Sequence, residues 1–163
     1  MNIFATSDDP LKCAEALDDK RVVKMVLETA QLLCTVLHQR GISTPYRPTH
    51  QTNKLVLWAK EPAHTYWLLR HGFMLDAEFS HRFGKRHASG EVIDSLRQHI
   101  ERTKDQPEWY VNAARHGGLG IDFSHRPVHA AYRAYLNVRW PGDKRPPVWT
   151  NRQPPRWCTY VPN

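Results

Sequence analysis

The chain has 163 residues, 40% hydrophobic and 24% charged, enough for one domain with a core of its own. No apolar run approaches the roughly 18 to 20 residues of a membrane span, and the start MNIFATSDDPLK has neither the basic nor the apolar region of a signal peptide. A net charge of +7 with ten histidines uncounted favours a polyanionic partner, nucleic acid before an anionic membrane.

In chain order, NIFAT is short and β-prone and predicts an extended N-terminal segment. SDDP supplies a cap, Ser7 or Asp8, for a helix with Pro10 in its first turn that runs to about Asp18. Over 19 to 39, Val22, Val26, Ala30, Leu33 and Leu37 recur at steps of four, four, three and four, a helical core stripe ended by Gly41. ISTPYRPTHQTN (42 to 53) is a loop built on two prolines, and a short helix follows through Lys60. Pro62 opens a long helix ending at Gly84, with Leu68, Leu69, Phe73, Leu75 and Phe79 as its apolar face. KRHASGEVIDSLRQHIERT is a loop and an amphipathic helix, with Ser89 as cap and Val92, Ile93, Leu96 and Ile100 inward. Beyond Asp105, HGGLG and HRP mark loops around weak elements, and VHAAYRAYLNVRW reads as the last helix.

The expected fold is mainly α: one compact helical domain over 1–163, with a short N-terminal extended segment. Its parts are a helical core (1–87), additional helices (88–140) and an irregular Pro/Trp/Arg-rich tail (141–163) packed on that core. Cys13, Cys34 and Cys158 have no CxxC spacing and read as reduced thiols of a cytoplasmic protein.

Several constellations bear on chemistry. On the 19–39 helix, Arg21, Lys24, Glu28 and Gln31 share a stripe roughly opposite Val23, Val26 and Ala30. Either this is a solvated face with a Lys24–Glu28 pair, or Glu28 is a carboxylate lining a cleft beside amines, as proton transfer or stabilisation of a sugar cation requires. The loop residues Tyr46, Arg47 and His50 suit nucleic-acid contact, with His50 as an acid, a base or a reader of base edges, or they form a solvated loop. Lys85, Arg86 and His87 at a helix end suit phosphate, or again solvent. In the tail, Trp140, Trp149 and Trp157 alternate with Arg139, Arg145, Arg152 and Arg156. This pattern offers stacking faces and phosphate contacts, or it clamps an otherwise structureless tail to the core. Trp67, His71, Met74, Glu78 and His81 line one side of the 62–83 helix but match no metal signature, and neither a phosphate loop nor GxSxG occurs.

The order LDDKRVVKMVLETAQLL…YRPTH…LW…WLL…EFSHRFGK over roughly residues 1 to 87 resembles small phage and bacterial pyrimidine-dimer DNA glycosylases of the endonuclease V type. The resemblance implies a compact helical enzyme whose N-terminal α-amine attacks C1′ of a damaged nucleotide and forms a Schiff base. A helix glutamate supports the sugar chemistry, and basic residues of that helix hold phosphate. Glu28 matches that glutamate, and Asp19 and Arg21 match the acid and the base earlier on the helix. An α-amine, with an ordinary pKa near 8 against about 10.4 for lysine, is the better nucleophile at neutral pH. Position 2 is Asn2 where the family has threonine, and Leu27 stands where the family has a basic neighbour, so Met1, Asn2 and Lys24 are all candidate amines.

The expectation is a DNA-repair enzyme, an N-glycosylase with or without an AP-lyase step, acting on damaged or modified pyrimidines in double-stranded DNA. It is expected to be monomeric, without cofactor, metal or membrane contact. The candidate catalytic set is Glu28, Met1, Asn2, Lys24 and His50. The candidate DNA contacts are Lys20, Arg21, Tyr46, Arg47, Lys85, Arg86, His87, Trp149, Arg152 and Arg156. A phage-type base-modifying transferase and a non-catalytic nucleic-acid-binding protein are the alternatives.

Overall fold

The computed structural model describes residues 1–161, so the last two positions of the expected tail lie outside the described residues. Among the described residues six α-helices make up a mainly α domain: α1 (Pro10–Ala16), α2 (Asp19–Gln39), α3 (Lys54–Trp58), α4 (Pro62–Phe83), α5 (Ala88–Leu96) and α6 (Val128–Arg139). The β content of the described residues is one hairpin of two-residue strands, β1 (Arg115–His116) antiparallel to β2 (Ile121–Asp122), at the expected HGGLG loop. Among the described residues no helix is long and apolar enough to cross a membrane.

The long helices form the framework. α2 packs chiefly on α4 and α5, and α1 lies on α4. The expected stripe of α2, Val22, Val26, Ala30, Leu33 and Leu37, is fully buried. α2 ends in a Schellman motif: Gly41 N–H donates to the His38 carbonyl and Ile42 N–H to that of Leu37, with Gly41 at φ 80°. A Cβ on Gly72 of α4 would lie 3.0 Å from Ile93 and 3.1 Å from Thr29, so this glycine lets α4 approach α2 and α5 closely.

Three local readings are corrected. The cap of α1 is Asp9, not Ser7 or Asp8, because Pro10 occupies the first helical position and the cap must directly precede it; its carboxylate accepts from Leu11 N–H. α1 stops at Ala16, and Asp18 begins the next helix. The cap of α5 is His87, whose Nδ1 accepts the Ser89 N–H, while the Ser89 hydroxyl is buried against Tyr46 Oη at 3.0 Å.

The tail is clamped by its tryptophans. Trp140 stacks on Trp157 (5.7 Å, 15° between planes) and meets Trp149 edge-on. Trp140 Nε1 donates to the buried Asp18 carboxylate, and Trp149 Nε1 to the Ala16 carbonyl. Having almost no repeating backbone ladder, this Pro-rich strap is held by side chains.

The expected extended N-terminal segment is instead a bent coil that joins no strand among the described residues: Phe4 is at φ 42° and the Thr6 N–H donates to its carbonyl. His129 Nδ1 meets the Ala5 carbonyl at 2.6 Å, Arg133 Nε donates to the Thr6 carbonyl, and Phe4 packs on Tyr132 and Tyr135 of α6. Trp67 Nε1 of α4 donates to the Asp8 carbonyl. The start of the chain is thereby fixed across the core.

Candidate active site around Glu28

Glu28 lies on the seam between the buried and solvent faces of α2, its residue surface only 8% exposed. The expected stripe is rotated: Val23 and Leu27 are exposed with Lys20 and Lys24, while Arg21 and Glu28 turn inward. Val23 therefore does not share the buried side with Val26 and Ala30: it lies about 60° in helical phase from Val26 and from Lys20 alike, and it is exposed while Val26 and Ala30 are fully buried.

Three nitrogens converge on the Glu28 carboxylate. The Met1 amino group lies 4.0 Å from Oε1, Lys24 Nζ lies 3.2 Å from Oε1, and the Asn2 amide donates to Oε2 at 3.0 Å. The Asn2 side chain shapes this arrangement, because its Oδ1 accepts the N–H groups of both Ile3 and Phe4. Phe4 sits at φ 42°, a strained conformation for an aromatic residue, held by its contacts with α6. Four of the five expected catalytic residues thus stand together. His50 does not join them: Thr49 bonds the Thr35 hydroxyl, seven residues or roughly 10 Å along α2 from Glu28. His50 itself is exposed at φ 50°.

The expected DNA contacts divide by whether a carboxylate already holds them. Arg21 is buried, with Nη1 at 2.8 Å from both Asp18 and Asp143. Burial alone would raise the Asp143 carboxyl, but Arg21 and Lys20 outweigh it and hold it below the ordinary value. Lys20 reaches the same carboxylate at 3.2 Å with its side chain largely exposed. Arg152 grips Glu78 through Nε and Nη2 (2.9 and 2.6 Å) and also reaches Glu15. Arg86 bonds Asp76, and His87 caps α5. Tyr46 ties its loop to Ser89, and Trp149 is part of the clamp. Among the described residues, the exposed Arg47, Lys85 and Arg156 pair with no carboxylate.

Sequence reading missed the acids that organise these bases. Asp18 lies three residues before Arg21 and Glu78 four before Arg82, but Asp143 meets Arg21 across 122 positions, Glu78 meets Arg152 across 74 and Asp76 meets Arg86 across 10, where no local spacing marks the pair. His71 is fully buried against the Trp67 ring, and burial pushes its pKa down to about 4, so the imidazole is neutral.

What the fold and site define is a helical domain in which a buried-edge carboxylate faces the amino terminus of its own chain. Compared with family models, curated proteins and solved structures, the chain matches none.

Proposed function

We propose that the protein is a DNA N-glycosylase with an AP-lyase step, acting on damaged or modified pyrimidines through an amine held at Glu28. The observation that carries this reading is the convergence of the Met1 amine, the Asn2 nitrogen and Lys24 on one inward-turned carboxylate. An unprotonated amine bonds to C1′ of the target nucleotide, and the C1′–N bond to the base breaks with its electron pair leaving on the base. The proton shed by the amine passes to a Glu28 oxygen, and opening of the sugar ring leaves an imine between C1′ and the protein. Such chemistry needs the target nucleotide out of the base stack, and the exposed Arg47, Lys85 and Arg156 supply phosphate contacts to hold it there. The strained, cross-braced turn at Asn2 and Phe4 fits a preorganised nucleophile better than a merely tethered terminus.

Two nitrogens at the start of the chain compete for the role. The Met1 amine is 4.0 Å from Glu28. Removal of Met1 would put the amine of Asn2 where an amide N–H already bonds Oε2 at 3.0 Å.

The test is borohydride trapping on duplex DNA carrying an abasic site or a pyrimidine dimer, followed by peptide mass spectrometry. A reduced adduct on the first residue, lost in Glu28→Gln and in a protein extended by one residue before Met1, is the expected result. An adduct on Lys24 would reassign the nucleophile. Binding with neither base release nor adduct across a panel of lesions would overturn the enzyme reading, and a change in base mass without cleavage would mark a transferase instead.

A further inference from the structure

The exposed side of α2 carries Lys20, Val23, Lys24 and Leu27, with Val23 at 41% exposure. At its N-terminal end this face runs into a cleft of about 630 Å³ between the first turn of α2, the end of α4 and the start of the tail. Val23, Phe83, Pro146 and Val148 give the cleft an apolar floor. Its mouth holds Lys144 and Arg145, both exposed, and among the described residues neither pairs with a carboxylate.

The two acids that border the cleft do not neutralise it. Asp18 accepts from Arg21 and from Trp140, and its side chain is buried. Asp19 accepts from Arg82 and from both the N–H and the hydroxyl of Thr150. What faces solvent is therefore an apolar recess under two unpaired cations, with Lys20 at its edge. The volume lies in the range of clefts that hold a small organic ligand. An apolar surface beside lysine and arginine matches a planar base attached to a phosphate.

Its position ties it to the carboxylate site. Val23 precedes Glu28 by five residues, roughly 7.5 Å along the helix axis and about 140° around it, so the two stand at opposite edges of the exposed face; the axial distance is about two stacked steps of one DNA strand at 3.4 Å each. Lys24 and Leu27 cover the interval.

We infer that this cleft binds one nucleotide of a DNA strand, its base against Val23, Phe83 and Val148 and its phosphate against Lys144 and Arg145, two steps along the strand from the nucleotide presented to Glu28. The inference rests on the DNA reading above, and it adds a subsite that selects for an intact base two steps from the lesion. It also explains why a charged helix face carries exposed valine and leucine.

Binding without chemistry tests it. Fluorescence anisotropy compares a labelled single-stranded oligothymidylate with a strand of the same length built from abasic tetrahydrofuran units. Val23→Asn with Val148→Asn leaves charge unchanged at two exposed positions, and thermal melting verifies that the variant folds. The expected result is about tenfold weaker binding of oligothymidylate, the loss of one base contact, with affinity for the abasic strand unchanged. Lys144→Glu with Arg145→Glu is expected to weaken both strands. Equal effects of the Asn pair on both strands, or none on either, would overturn the base subsite, and no effect of the charge reversals would overturn the phosphate contact. Tighter binding to phosphatidylglycerol vesicles than to either strand, relieved by the charge reversals, would assign the cleft to a lipid surface. Because no step uses the amine or Glu28, a wild-type protein that forms no borohydride adduct but passes this comparison would sink only the glycosylase reading. One that forms the adduct yet fails here would sink only the cleft.

Discussion

Removing the Glu78 side chain should unseat both α4 and the tail. Glu78 is 3% exposed and accepts from Arg82 Nε at 2.7 Å and from two nitrogens of Arg152. Burial would by itself raise its carboxyl, but Arg152 and Arg82 outweigh that and hold it below the ordinary carboxylate range. In Glu78→Ala, Arg82, whose side chain is fully buried, keeps only Asp19 at 2.9 Å and a long contact to the Glu15 carbonyl. Breaking a buried pair by deleting one partner costs about 3 to 5 kcal/mol. The Arg152 share adds about 1 kcal/mol at most, because that side chain is 30% exposed and screened. For a chain of this size the total corresponds to a fall in Tm of roughly 9 to 17 °C. Urea unfolding followed by circular dichroism gives the free energy, and Arg152→Ala alone and combined with Glu78→Ala closes a double-mutant cycle. Coupling of about 1 kcal/mol or more is expected between two residues in direct contact. A Glu78→Ala loss below about 1 kcal/mol, with an unchanged m-value, would refute the claim that this carboxylate holds the two arginines against burial. The same series decides what Arg152 does for DNA: as a tail anchor, Arg152→Ala should cost stability first and weaken DNA binding no more than Glu78→Ala does.

Other consequences follow from single groups. His71 is neutral in the folded protein, with a pKa of about 4 against 6.5 unfolded, so the unfolded chain takes up a proton first as pH falls. Stability should drop by about 3 kcal/mol between pH 6.5 and 4, and urea unfolding of His71→Phe should lose most of that slope. Gly90→Ala would set a Cβ 2.2 Å from the Asp76 carboxylate, which bonds Arg86 and the His87 N–H. The expected cost is about 1 to 3 kcal/mol by thermal melting, and a neutral outcome would mean that Asp76 swings aside freely. Lys85→Glu and Arg156→Glu, at exposed cations with no carboxylate partner, should each lower the salt slope of duplex binding by about one without changing Tm. Arg21→Ala, by contrast, should lower Tm, because it strands Asp18 and Asp143.

The helical frame was readable because its signals are local. The period of Val22, Val26, Ala30, Leu33 and Leu37, the proline at the start of α4 and the glycines at 41 and 84 each act within a turn or two of the chain, and the helices lie where those signals place them. The caps were misread by one or two residues for a reason of the same scale. Pro10 fixes which residue precedes the helix, and the ring nitrogen of His87 caps as well as a hydroxyl does.

The basic residues were another matter, since a charge pattern records which side chains are cationic but not which acids will meet them. Arg21, Arg86 and Arg152 look identical in sequence to Lys85 and Arg156, yet the first three are bound to Asp143, Asp76 and Glu78 across the fold. The aromatic and arginine alternation of the tail is ambiguous in the same way, because a strap without backbone ladders needs side-chain anchors, and tryptophan and arginine serve that need as well as they serve a nucleic acid. Glu28 sits between these cases. Helical phase alone places it at the edge of the solvent stripe, where a solubilising charge and a site carboxylate look alike. The feature that phase does not record is long-range: α6 fixes Phe4, Ala5 and Thr6, the Asn2 side chain turns the backbone, and the Asn2 amide arrives at the Glu28 carboxylate from 26 positions earlier in the chain. A purely solvated Glu28 would require none of that bracing, so the proposed amine chemistry is tested at the terminus rather than at the helix that bears the glutamate.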